Sequence, residues 1–221
     1  MMNIVKEILS FPETVAASEK AKKSVWLLRH SMRESLTAGL DPGLTREGKF
    51  FAQECGAMLA GIDKPFFGAS PRLRCIETVK AIMEGGNYGE NPITTFPELH
   101  DTALFDPPDA LGRAVTEGNT AQLLAEYFSK GTAPEMIPLE EFSSRLLTFL
   151  KNVSGSRNTM LITHDIIAVS LMLPHKVYDF QQDDWCGYVQ GAFLFLDENE
   201  VWNLAYTLAD KQNRKKYQLF I

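Results

Sequence analysis

One pattern, occurring twice, constrains this chain more than any other: a short β-compatible run that ends on a histidine. Val25-Trp26-Leu27-Leu28 leads into Arg29-His30, and Thr159-Met160-Leu161-Ile162-Thr163 leads into His164-Asp165. Apolar runs of this length without regular polar spacing read as strands buried on both faces. Such strands belong to parallel sheets covered by helices, and those sheets place their chemistry at the carboxyl ends of the strands. His30 and His164 are therefore expected to face each other on one edge of a sheet.

The sequence between and around them alternates accordingly. Thr45 reads as an N-cap, and Phe51, Cys55, Met58 and Leu59 form a buried helical stripe that Gly61 ends. Residues 65–69 read as a second strand. Ser70-Pro71 reads as the cap and first residue of a helix carrying Arg74, Thr78 and a stripe of Cys75 or Ile76, Val79, Ile82 and Met83, closed by Gly85-Gly86-Asn87. Residues 93–96 read as a third strand, and the weakly patterned 97–119 as a substrate loop or lid. Helical patterns resume at 120–128 and from Leu139, with Phe142, Leu146, Phe149, Leu150 and Val153 on one face. Phe193 to Leu196 and Val201 to Tyr206 flank Asp197-Glu198-Asn199-Glu200 as a hairpin. The expected architecture is α/β: a three-layer α/β/α sandwich with a mainly parallel sheet, one domain over 1–221. Residues 1–23 are expected to form an amphipathic helical extension, with Ile4, Val5, Ile8 and Leu9 on one side and Pro12 interrupting it.

Charge and cysteine usage narrow the class. A formal net charge of −6 argues against a general nucleic-acid binder, which needs a broad basic surface. The apolar runs are too short to cross a bilayer, and the charged amino end lacks a signal-peptide core, so no membrane partner is expected. Cys55, Cys75 and Cys186 show no metal spacing and read as buried thiols in a reducing compartment, which places the protein in the cytoplasm. The basic stretch from Lys211 to Lys216 reads as a solvated end.

Four separated motifs carry a resemblance. Leu28-Arg29-His30, Leu44-Thr45-Arg46-Glu47-Gly48, Ser70-Pro71-Arg72-Leu73-Arg74 with Thr78, and the strand into His164 are similar in order and spacing to the histidine phosphatase superfamily, also called phosphoglycerate mutase-like, over residues 24–175. The resemblance implies that His30 is the nucleophile, taking a phosphoryl group as phosphohistidine, and that Arg29, Arg74 and His164 bind phosphate. Phosphoryl transfer needs a nucleophile and a positive clamp on the equatorial oxygens, and arginine grips phosphate bidentately while staying charged. Arg33, three residues after His30, and the His164-Asp165 pair resemble the acid phosphatase branch. That branch implies Arg33 as a further phosphate ligand and Asp165 as the general acid. Glu98 is the reserve acid, its place after a strand resembling the mutase-like branch. Ser31 stands where the family has glycine and is expected to donate a hydrogen bond to phosphate.

The expected activity is a phosphomonoesterase needing no metal or cofactor and acting on a small phosphorylated substrate, phosphopeptides included. Two rivals stay open: a metal-dependent hydrolase using His30, His164, Asp165 and the His100-Asp101 pair, and a non-catalytic phosphate-binding protein. Mutase activity is disfavoured, because nothing in the sequence shows a seal protecting the intermediate from water. His100-Asp101 otherwise reads as solvated loop, and Trp185, Tyr188, Phe193 and Trp202 as core or rim. Asp101, Asp106, Asp109, Asp179, Asp183 and Asp184 read as an acidic rim unfavourable to a highly anionic substrate.

Overall fold

The strand that delivers His30 lies at the middle of the sheet. In the computed structural model, which describes residues 2–35, 41–180 and 185–209, β3 (Lys23–Arg29) is buried from Ser24 onward. It pairs in parallel with β6 (Asn158–Thr163) and antiparallel with β7 (Gly191–Leu196). Beyond β6 lie β4 (Phe66–Ala69) and then β5 (Ile93–Thr95), both parallel. Beyond β7 lies β8 (Trp202–Leu208), antiparallel to it, as the hairpin pattern predicts. Its outer edge is covered by β1 (Met2–Ile4) and β2 (Leu9–Ser10), giving an eight-stranded sheet.

Alternation along β3 assigns its side chains to two cores, since successive residues of a strand point to opposite faces. Val25 and Leu27 pack with Leu161 and Leu194 against α6 (Leu139–Asn152) and α7 (Asp165–Met172). Trp26 and Leu28 pack with Met160, Ile162 and Phe193 on the other face, against α1 (Phe11–Lys20), α2 (Arg46–Met58) and α3 (Leu73–Gly85). The three-layer reading holds. No described helix is long and apolar enough to cross a membrane.

Several local readings are corrected. The amino-terminal stretch is two short strands followed by a helix, because the open edge of β8 takes the apolar residues that a helix would have displayed. Pro12 sits in the first turn of α1, where its missing N–H costs nothing, and Ser10 N–H donates to Glu13 Oε2 at 2.6 Å in a capping box. Thr45 caps α2 as expected, accepting from Gly48 N–H, but Met58 is exposed while Phe51, Cys55 and Leu59 are buried. Helix α3 begins at Leu73 rather than Pro71: the Asp41 carboxylate accepts from Leu73 N–H, which frees Ser70 for the sheet edge. Residues 97–119 hold two 3-10 turns, Pro97–Leu99 and Asp101–Leu104, and α4 (Ala110–Glu117). Leu99, Leu104 and Phe105 are core residues here, so this segment is packed structure over much of its length. Helix α5 (Thr120–Lys130) follows. Gly39, Asp183, Asp184 and the basic tail lie outside the described residues.

Candidate active site

Four parallel strands end on one edge, and each end contributes. The last pair of the β3–β6 ladder is Arg29 with Thr163, and His30 N–H then donates to the Thr163 carbonyl at 2.8 Å. This puts His30 and His164 next to each other, with ring centroids 5.5 Å apart in an edge-on arrangement. At the end of β4, Ser70 N–H donates to the Ile162 carbonyl, and the Ser70 hydroxyl stands 3.0 Å from His164 Nε2. The chain leaving β5 turns twice and brings in His100 and Asp101.

His30 is 4% exposed, and its Nδ1 lies 2.7 Å from the Ser31 carbonyl. A carbonyl only accepts, so Nδ1 carries the proton and Nε2 holds the lone pair. Burial, then His164, Arg29 and Arg74, push this ring well below the ordinary histidine range, against the Ser31 carbonyl. Burial likewise brings His164 down to about 3, against the pull of Asp101. Both rings are neutral near pH 7.

The arginines surround them. Arg29 donates to the Cys186 carbonyl at 2.7 Å, pairs with Asp165 Oδ2 at 3.4 Å, and lies under the Tyr188 ring with its guanidinium carbon 4.4 Å from the centroid. Arg74 NH2 donates both to His164 Nδ1 and to Asp101 Oδ2, each at 3.2 Å. The Nε atoms of Arg29, Arg72 and Arg74 are buried with no hydrogen-bond partner among the described residues. Buried guanidinium donors without partners are costly, and their gathering here marks a place that favours an anion. Arg33 is half-buried at the edge of this group, and burial followed by the charge of Arg74 lowers its affinity for its proton.

Two carboxylates stand within the site, and a third, Asp41, lies 3.7 Å from Arg74 at its edge. Asp165 accepts from Ile166 N–H at 3.0 Å and from the Trp185 indole at 3.2 Å, so it starts α7 and stands beside Arg29 at once. Asp101 was read as solvated loop, and the structure corrects this: its side chain is 14% exposed and bonds Arg72 and Arg74, with His100 Nδ1 2.8 Å away. Burial alone would raise the Asp101 carboxyl, but His100, His164 and Arg72 together hold it well below the usual carboxylate range.

Two expected site residues face elsewhere. Glu98 is exposed on the Pro97–Leu99 turn, which directs the buried Leu99 into the core and leaves its acid outside. The Ser31 hydroxyl donates to the Gly48 carbonyl at 2.7 Å and its N–H to Thr78 Oγ1 at 3.0 Å, so both of its protons hold the turn rather than an anion. That turn packs tightly on α2: a Cβ on Gly48 would meet the Met32 carbonyl oxygen at 2.1 Å. Ser70, expected as a helix cap, and Tyr188, expected as core or rim and buried in the core, also stand at the site, as does Asp101, expected there only in the metal-dependent reading. Asp106 and Asp109 are exposed, and Leu104, Phe105 and Phe180, expected at the entrance, are core. All three cysteines are buried and outside any disulfide; Cys75, 3.8 Å from His164 Nε2, is pushed up to about 12 by burial and stays a thiol.

Neutral histidines at adjoining strand ends, ringed by arginines, stand on the carboxyl edge of the central sheet of an α/β protein. A sequence model of the histidine phosphatase superfamily (branch 1) matches residues 25–176, and the chain belongs to that superfamily. No curated protein matches it. Among solved structures, phosphoglycerate mutase from Bacillus anthracis is similar at 16% identity and a TM-score of 0.57, over 90% of this chain and 98% of that one. A mycobacterial glucosyl-3-phosphoglycerate phosphatase is similar at 17% and 0.54, over 85% and 99%. The Entamoeba histolytica phosphoserine phosphatase is similar at 14% and 0.55, over 87% and 98%. At such identities the likeness shows the fold.

Proposed function

We propose that this protein is a phosphomonoesterase that works through a phosphohistidine on His30, without a metal ion. The observation that carries the reading is the hydrogen bond from His30 Nδ1 to the Ser31 carbonyl, which leaves Nε2 as a lone-pair nitrogen among Arg29, Arg74 and His164. Nε2 attacks phosphorus as the bond to the ester oxygen breaks. Asp165 gives its proton to the departing alkoxide. Water then attacks phosphorus, the N–P bond breaks, and the Asp165 carboxylate takes the water's proton. Arg29 and Arg74 lie on either side of the histidine pair, and their unpartnered Nε donors suit the equatorial oxygens of the transferring group. Arg33 supports binding from the edge. Relatives with this fold include phosphatases and a mutase, which agrees with the reaction class.

The test is a radiolabelled phosphomonoester mixed briefly with enzyme and chelator and quenched in alkali. Wild type is expected to carry alkali-stable, acid-labile label and to turn over; His30→Ala carries none. A folded wild-type protein that binds vanadate yet neither labels nor turns over would replace this reading with the phosphate-binding one.

A further inference from the structure

The face beside Asp165 carries information about the alcohol that leaves. Trp185 donates its indole N–H to Asp165 Oδ2 at 3.2 Å while its ring remains partly exposed. The ring of Phe128 meets it edge-on with centroids 5.1 Å apart. Leu124, one turn before Phe128 on α5 and therefore on the same side of the helix, is also partly exposed. Apart from the Arg29–Asp165 pair beside the indole, the ion-paired groups of the site lie with Arg72, Arg74 and Asp101, on the His164 side, and the ionic residues of α5 nearest Phe128, Glu126 and Lys130, pair with each other.

We infer that Trp185, Phe128 and Leu124 form a leaving-group subsite, and that the substrates are monophosphates of alcohols with an apolar portion next to the phosphate. The inference rests on Asp165 as the proton donor. A group protonated by Asp165 leaves past the indole that holds Asp165, so the alcohol's first few carbons lie along Trp185 and Phe128. A polyhydroxylated alcohol would set hydroxyls against two aromatic faces and leave them short of partners, which costs more than the contact returns. An alkyl or aryl alcohol meets surface of its own kind.

The experiment is a series of straight-chain alkyl phosphates from ethyl to hexyl, whose leaving groups are almost equal in acidity, with glycerol phosphate beside them. kcat/KM is expected to rise about threefold to fourfold per added methylene until the wall is covered. The slope should flatten in Phe128→Ala and in Trp185→Ala, each read as a ratio within one protein so that a general loss of activity cancels. Trp185→Phe should keep the slope, again read as a ratio within one protein, and shift the pH profile through the lost bond to Asp165. A flat wild-type series in an enzyme that turns over and labels at His30 overturns this inference alone, and so does a slope that survives in both alanine variants. Absence of turnover and of label overturns the proposed function instead.

Discussion

Burying two neutral histidines at the centre of the site gives the fold a pH dependence whose sign can be worked out. His30 and His164 both have folded values below the ordinary 6.5, for His164 about 3. Above pH 6.5 neither the folded nor the unfolded chain protonates these rings, and they add nothing. Below it the unfolded chain takes up protons that the fold refuses, so stability falls as pH falls, by about 1.4 kcal/mol per pH unit for His164 and in the same direction for His30. Between pH 7 and pH 5 this amounts to about 2 kcal/mol for His164, and His30 adds to it in the same direction. Carboxyl groups scarcely contribute in that window, because the unfolded chain's acids are still almost wholly ionised at pH 5. Half-buried His175, also lowered by burial, adds a smaller amount. Urea unfolding at pH 7 and pH 5 measures the difference. His164→Gln, which removes one of the two rings, is expected to cut the loss by about 2 kcal/mol. A wild-type protein equally stable at both pH values, or a variant with an undiminished loss, would refute the claim that both rings are buried neutral.

Asp165→Asn should lower kcat on an alkyl phosphate by about 10²–10⁴ and on an activated aryl phosphate far less, whereas Glu98→Gln leaves both near wild type; a steady-state comparison decides it. Asp101→Asn should cost the free protein about 3 kcal/mol by removing the nearer counter-charge of Arg72 and Arg74, with Asp41 left 3.7 Å from Arg74, and inorganic phosphate should then raise its melting temperature more than it raises that of wild type. Tyr188→Leu removes the ring over Arg29, and kcat/KM should fall about fivefold to thirtyfold, for a contact worth about 1–2 kcal/mol. Gly48→Ala forces the Met32 turn away from α2; circular dichroism should retain the helices while phosphate affinity drops.

The sheet was legible because its strands are buried on both faces, and continuous apolar runs leave little else for residues 24–29 and 159–163 to be. The same rule failed for residues 2–10, where the apolar positions also satisfy helical spacing and the deciding influence is the open edge of β8, which is nearly 200 positions away in the chain. Pro12 misled for a related reason: proline marks the interior of no helix, yet it serves the first turn of one. In 97–119 the apolar residues are too few and too irregular to show a period, yet Leu99, Leu104 and Phe105 are core. They fill space beneath α7 as isolated anchors, and isolated anchors have no pattern.

Within the site, the groups at strand ends were legible and their counter-charges were not. Arg29, His30, Arg74, His164 and Asp165 come together as expected, since each follows a strand end or the first turn after one. Asp101 could have been found by a second rule. Arginines 29, 72 and 74 place positive charge in a largely buried edge, and such charge needs acids from neighbouring strand ends to hold it before any anion arrives. Two strand exits in this chain carry a His-Asp pair: His164-Asp165 directly after β6, and His100-Asp101 one turn after β5. The structure uses the two pairs in parallel, Asp165 on Arg29 and Asp101 on Arg72 and Arg74. Each carboxylate takes terminal nitrogens of its arginine and leaves the Nε atom unpartnered. The acids therefore hold the arginines in place without occupying every donor, and under the proposed function those remaining donors are the ones a phosphate would meet.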